Sequence, residues 1–186
     1  MLVGTITPLR FVIVFIAQIV AGIAAAGLTD GLIPGPLQVA NELGLGVSIV
    51  QGLFIEVFLT AELVFVVYFL AVEKHRATYI APLGIGLAIF MCHMVGVPLT
   101  GTSVNPARSF GPAVVAGFVG YHWIYWVGPF LGALLAWGLF KVLTVLNYGT
   151  VNPAQDEDGL ERVNTKGTEG TKVNGVSVEQ RSGESV

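Results

Sequence analysis

The stretch LTGTSVNPARSFGPAVVAG, residues 99–117, decides how the rest of the chain is read. Its three glycines and two prolines break it too often for a spanning helix, yet after Arg108 it is too apolar for an ordinary exposed loop. Segments interrupted in this way mark re-entrant or discontinuous helices, whose backbone tolerates membrane depth only where protein or a water-filled cavity shelters it. Asn105 is a good N-cap and Pro106 suits the first helical position, which predicts a half-helix over about residues 107–116, ended near Gly117. The asparagine then sits at the positive end of that helix with its side-chain amide free to donate. VNPA recurs at 151–154. There QDEDG follows, so Asn152 has no apolar half-helix to cap, and the second copy is read as coincidence.

Four flanking stretches, about residues 9–28, 47–72, 78–97 and 122–146, are long enough to cross roughly 30 Å of hydrocarbon as helices. The 186 residues are 54% hydrophobic and 11% charged, with a mean hydropathy of +0.76. That balance does not fit a soluble globule with a polar surface. The expected fold class is therefore an all-α membrane protein of four transmembrane helices and one re-entrant half-helix. The first apolar stretch is long enough to span and has no basic run before it, so a cleaved signal peptide is not expected.

Charge placement sets the domain organisation and the orientation. Residues 1–150 hold five acids (Asp30, Glu42, Glu56, Glu62, Glu73) and five bases (Arg10, Lys74, Arg76, Arg108, Lys141). The net charge of -3 therefore belongs to residues 151–186, read as a disordered cytoplasmic tail rich in Gly, Thr, Ser, Glu and Val, with Thr165, Thr168 and Ser182 as compositional candidates for phosphorylation. Nothing in the balance suggests a nucleic-acid partner. Arg10, the EKHR turn at 73–76 and Lys141 alternate consistently across four spans, which predicts that both termini and that turn are cytoplasmic. Arg108 is the exception, entering with the re-entrant segment from the outer side, where a cation needs to face water.

Several residues have plain readings. Cys92, the single cysteine, sits among apolar neighbours and is read as a buried small residue. His75 and His122 are read as solvated or interfacial. Gly22, Ala26, Gly128 and Gly132 form small-xxx-small pairs that suit close helix crossing, and Trp123 with Tyr125 and Trp126 suits an interfacial aromatic cluster. The loop DGLIPGPLQVANELGLG, residues 30–46, has turn chemistry and apolar content and is expected to fold over the outer mouth. Glu56 and Thr60 share a helix face, where Glu56 can accept hydrogen bonds from re-entrant amides; Glu62 lies on a different face and receives no role. The chain has no Ser-His-Asp set, facing carboxylate pair or phosphate loop, so no enzyme and no cofactor or metal are expected.

TGTSVNPARSFGPAVV, preceded by a membrane histidine and followed by YHWIYWVGPFLGALLA, resembles the second signature loop and last helix of the aquaporin (major intrinsic protein) family. GTITPLRFVIVFIAQIVAGIAAAGL is similar to the third helix of that family, and EVFLTAELVFVVYFLAVEKH to its fourth, particularly in fungal members. The resemblance covers about residues 3–146 and rests on several motifs in order. It implies a partial aquaporin-like bundle over residues 1–150, without the family's first two spans and first Asn-Pro-Ala loop. It further implies a pore in which Asn105, Pro106 and Ala107 form the midplane motif and Arg108 with His93, fifteen residues earlier, forms the outer constriction. Thr102 takes the constriction position within the loop, the carbonyls of Gly101, Thr102 and Ser103 line the descent, and Glu56 with Thr60 braces the loop. Ser109, Ala113, Tyr125 and Trp126 match water-conducting rather than glycerol-conducting members. The implied function is passive water permeation, with the bilayer and water as partners and a homo-tetramer if the fold is complete. The alternatives are a non-conducting truncated relative that associates with full-length subunits, or a glycerol or small-solute channel.

Overall fold

The computed structural model describes residues 3–73 and 76–151. The readings of Lys74 and His75, of Asn152 and of the polar tail fall outside the described residues. Among those described the regular structure is all helical, with five α-helices: α1 (Pro8–Leu32), α2 (Ile49–Val67), α3 (Ala81–Thr100), α4 (Pro106–Ala116) and α5 (Ile124–Val145). A π-helical turn, Tyr68–Val72, extends α2, and a 3-10 turn, Arg76–Ile80, leads into α3.

Local chemistry sets the starts and stops. α1 begins at Thr7, whose side chain accepts from the Arg10 amide, with Pro8 in the first turn. α2 opens with a reciprocal capping box, Ser48 receiving the Gln51 amide while the Gln51 side chain receives the Ser48 amide. α3 ends where Gly101 takes the left-handed conformation, φ 74°. The four helices apolar and long enough to span, Pro8–Leu32, Ile49–Val72, Thr78–Thr100 and Ile124–Val145, correspond to the expected stretches. Two run further than expected. α1 continues past Leu28 because the Thr29 hydroxyl turns back onto the Ala25 carbonyl, 2.8 Å away, and so hides its polarity within the helix. α3 passes Pro98, and the carbonyls of its last two residues are taken up from outside, Leu99 by the Gly44 amide and Thr100 by the Tyr125 hydroxyl.

Glycines govern the packing. At the α1–α4 crossing, a Cβ on Gly22 would lie 2.7 Å from the Ala107 carbonyl oxygen, and one on Gly111 would run into the Gly22 backbone. At the α2–α5 crossing, a Cβ on Gly128 would lie 2.7 Å from the Glu56 Cβ and one on Gly132 would lie 2.8 Å from the Thr60 Cβ. Backbones this close draw on van der Waals contact, the main attraction left between helices in lipid. Phe110 of α4 meets Trp126 of α5 edge to face at 5.6 Å, and Trp126 in turn meets Phe15 of α1 at 6.3 Å, so one aromatic seam joins three helices.

Gly132→Val is expected to lower the detergent melting temperature, since overpacking against fixed backbone costs about 1–3 kcal/mol. Gly138→Ala, where an added Cβ meets nothing within 4 Å, is expected to keep it or raise it slightly, alanine being the better helix former. Thermal unfolding followed by fluorescence-detected size exclusion checks both.

Candidate functional site: the re-entrant segment at Asn105 and Arg108

The site is built on a buried carboxylate. Glu56, on α2, is fully buried. Its Oε1 accepts from the Thr100 hydroxyl at 2.6 Å and the Ser103 amide at 2.8 Å, and its Oε2 accepts from the Val104 amide at 2.9 Å. Those amides reach it because Thr102 and Val104 are left-handed, φ 54° and 47°. For β-branched residues this conformation costs roughly 1–2 kcal/mol each. A hydrogen bond to a charged group is worth roughly 1.5–3 kcal/mol, so the two amide bonds outweigh the strain. Thr60 shares the buried face but plays a different part from the one expected. Its Oγ1 has no hydrogen-bond partner among the described residues, and its contribution is packing against Gly132.

The same peptide groups work on their other side. In a trans peptide the carbonyl points opposite to the N–H, so the peptide that gives the Ser103 amide to Glu56 directs the Thr102 carbonyl away from it. Nη1 of Arg108 donates to that carbonyl, to the Gly101 carbonyl at 3.4 Å and to Asn41 Oδ1 at 3.5 Å. Among the described residues only Nη1 of the guanidinium is engaged, leaving the Nε and Nη2 hydrogens without protein acceptors. Thr102 meets Arg108 through its carbonyl, one of the three expected to line the descent. Its side chain is fully buried, with the hydroxyl donating to the Cys92 carbonyl at 3.4 Å, and its carbonyl is what faces Arg108.

The half-helix runs Pro106–Ala116 behind an N-cap at Asn105, with Gly117 closing it onto the Ala113 carbonyl. Asn105 Oδ1 accepts from the Ala107 amide at 3.0 Å; among the described residues its Nδ2 has no acceptor. The Ser103 hydroxyl donates to the Asn105 carbonyl at 3.2 Å and lies 2.5 Å from Ser109 Oγ, which donates to Asn41 Oδ1 at 2.8 Å. Ala107, Ser109 and Ala113 are buried. On α3, His93 Nδ1 is 2.7 Å from the Ile89 carbonyl, which can only accept. The neutral ring therefore carries its proton on Nδ1 and presents Nε2 as an acceptor.

Tyr125, fully buried, donates its hydroxyl to the Thr100 carbonyl at 3.0 Å, and so anchors the end of α3 from α5; Trp126 belongs to the aromatic seam. His122 is half-buried rather than solvated. Its ring packs edge-on against Phe118 at 4.9 Å and Tyr125 at 5.7 Å, and burial pushes its pKa down. Cys92 is buried as expected, and its thiol donates to Glu62 Oε2 at 3.0 Å, a partner for the acid that had no role in the sequence. Sequence reasoning missed Asn41, Thr100 and Tyr121. Thr100 bridges Glu56 to the Thr102 amide, and Tyr121 Oη accepts from the Leu43 amide. Only the turn chemistry of the loop 30–46 gave any signal for Asn41.

Glu56→Gln keeps the volume but turns an amide group toward the backbone donors at Ser103 and Val104, leaving at least one unpaired at a cost of roughly 1–3 kcal/mol. Hydrogen exchange at those two amides is expected to accelerate at least tenfold in this variant, while exchange in the middle of α5 stays slow.

Comparison with known proteins shows the family of the chain. The family model of the major intrinsic protein matches residues 1–140. Aquaporin-1 of Gibberella zeae is 58% identical over 161 residues, 87% of this chain and 51% of that protein. Aquaporin-7 of Botryotinia fuckeliana is 58% identical over 156 residues, 83% of this chain and 34% of that protein. Aquaporin-1 of Laccaria bicolor is 52% identical over 156 residues, 83% of this chain and 50% of that protein. The chain thus spans about half the length, or less, of these curated relatives. Four spanning helices around a re-entrant Asn-Pro-Ala half-helix, matched by the family model over most of the length, make this chain an integral multi-pass membrane protein belonging to the major intrinsic protein family.

Proposed function

We propose that this chain forms part of a passive water pore, without cofactor or catalysis, in which Asn105, Arg108 and His93 replace the hydrogen bonds a water molecule gives up on leaving bulk. The observation that carries the reading is that Asn105 Nδ2 and the Nε and Nη2 of Arg108 have no protein acceptor among the described residues, although both residues lie on one re-entrant segment. Donors left open beside a helix N-terminus suit a neutral permeant with lone pairs and oppose cations. The Nε2 of His93 adds an acceptor. Arg108 belongs at the outer constriction, with both termini cytoplasmic. Ser109, Ala113, Tyr125 and Trp126, with the bulk of His93, favour water over glycerol. Pro106 and Ala107 set the half-helix start, and the Gly101, Thr102 and Ser103 carbonyls supply the polar descent.

One observation favours completion of the pore by further helices. Only 6% of the apolar window of α1 is buried within this chain, against 22% for each of the other three spans. A surface that open suits packing against additional spans, in a tetramer of complete subunits or beside full-length relatives.

Proteoliposomes holding the chain are expected to shrink fast under osmotic challenge, with a low activation energy, and Asn105→Asp to remove the effect. Shrinkage no faster than bare lipid, from protein shown to be folded and inserted, would leave the non-conducting reading standing.

A further inference from the structure

The loop joining α1 to α2 carries one deeply buried polar side chain, Asn41, 3% exposed. Its Oδ1 accepts from Ser109 Oγ at 2.8 Å and Arg108 Nη1 at 3.5 Å, and its Nδ2 donates to the Thr100 carbonyl at 3.5 Å. Every polar atom of the side chain is therefore committed to the re-entrant segment or to the end of α3. The room it occupies is made by a missing side chain: a Cβ on Gly101 would stand 3.0 Å from Asn41 Nδ2 and 3.1 Å from its Cα.

The loop is clamped around that side chain by its own backbone. The Gly44 amide donates to the Leu99 carbonyl at 2.8 Å, and a Cβ at Gly44 would collide with the Pro98 carbonyl group. The Leu43 amide donates to Tyr121 Oη at 3.2 Å. Asn41 is thus fixed from the loop side and does not merely follow the groups it touches.

Proton counting shows what its Oδ1 does. Nη1 of Arg108 has two hydrogens and three acceptors, the Gly101 and Thr102 carbonyls and Asn41 Oδ1. The two carbonyls come from consecutive residues of one segment, and the third acceptor, from a separate segment, narrows the orientations open to the guanidinium. Ser103 and Ser109 each have one hydroxyl hydrogen: that of Ser103 goes to the Asn105 carbonyl, and that of Ser109 is shared between Asn41 Oδ1 and Ser103 Oγ.

We propose that Asn41 is a positioning residue for Arg108. It holds the guanidinium against the Gly101 and Thr102 carbonyls, so that Nε and Nη2 keep a single aim, and it ties the outer loop to the selectivity of the pore. Its consequence for permeation rests on the pore reading above; its effect on Arg108 does not.

The test uses the full chain in lipid vesicles, with arginine side-chain nitrogens and threonine carbonyl carbons isotopically labelled, and reads the dipolar coupling between Arg108 and Thr102 by solid-state NMR. Hydrogen exchange at Ser103 and Val104 reports the Glu56 brace independently. Asn41→Ala is expected to cut the coupling at least twofold with exchange at Ser103 and Val104 unchanged. Asn41→Asp, which keeps the acceptor and loses the donor, is expected to retain it. An unchanged coupling in Asn41→Ala overturns the proposal. So does its loss together with protection at Ser103 and Val104, because Asn41 would then support the loop fold and not Arg108 in particular. Water and glycerol flux are measured in the same vesicles. A wild-type chain that conducts neither removes the pore reading while the coupling still judges Asn41. If it conducts water, Asn41→Ala is expected to raise glycerol flux relative to water several-fold and Asn41→Asp to leave the ratio near wild type.

Discussion

A single peptide group, between Thr102 and Ser103, joins the two charges around which this protein is arranged. Its N–H points to the buried Glu56 carboxylate and its C=O to the Arg108 guanidinium. Neither charge meets the other directly, yet each polarises the same amide in the direction that strengthens its bond to the opposite charge. Removing the carboxylate would leave the strained turn at Thr102 and Val104 unsupported, and with it the carbonyls that receive the arginine. The helix packing serves this linkage. Gly128 brings α5 close against α2 beside Glu56, while Gly22 and Gly111 press α1 onto the half-helix that carries Arg108.

The half-helix boundaries were legible in the sequence because their causes are local. An asparagine that caps, a proline in the first turn and a glycine that stops the helix act within a few residues of themselves. The four spans were legible because lipid demands long apolar runs. Glu56 could be picked out because an acid within a span needs donors, and the re-entrant segment had amides to give.

What escaped the reading was non-local or ran against propensity. Asn41 finds Ser109 across 68 residues and Thr100 across 59. No periodicity connects a loop asparagine to partners that distant, and its composition says only that the chain turns there. At Thr102 a role for the carbonyl was expected only through the family resemblance; a β-branched residue is poorly suited to the left-handed conformation, so nothing in its own identity announces the turn that aims that carbonyl at Arg108. Glu62 had no visible role because its partner Cys92 lies on the neighbouring helix, 30 residues on.

The two left-handed residues also bear on the order in which this chain acquires its shape. Left to itself, the segment 100–105 prefers another conformation, and what bends it is supplied from elsewhere. Asn41, Gly44 and Glu56 all lie upstream, so during synthesis the mould leaves the ribosome before the piece it shapes. Tyr121 and Tyr125 arrive afterwards and fasten Leu43 and Thr100 from the far side. The re-entrant turn is held between groups synthesised before it and the helix that follows it.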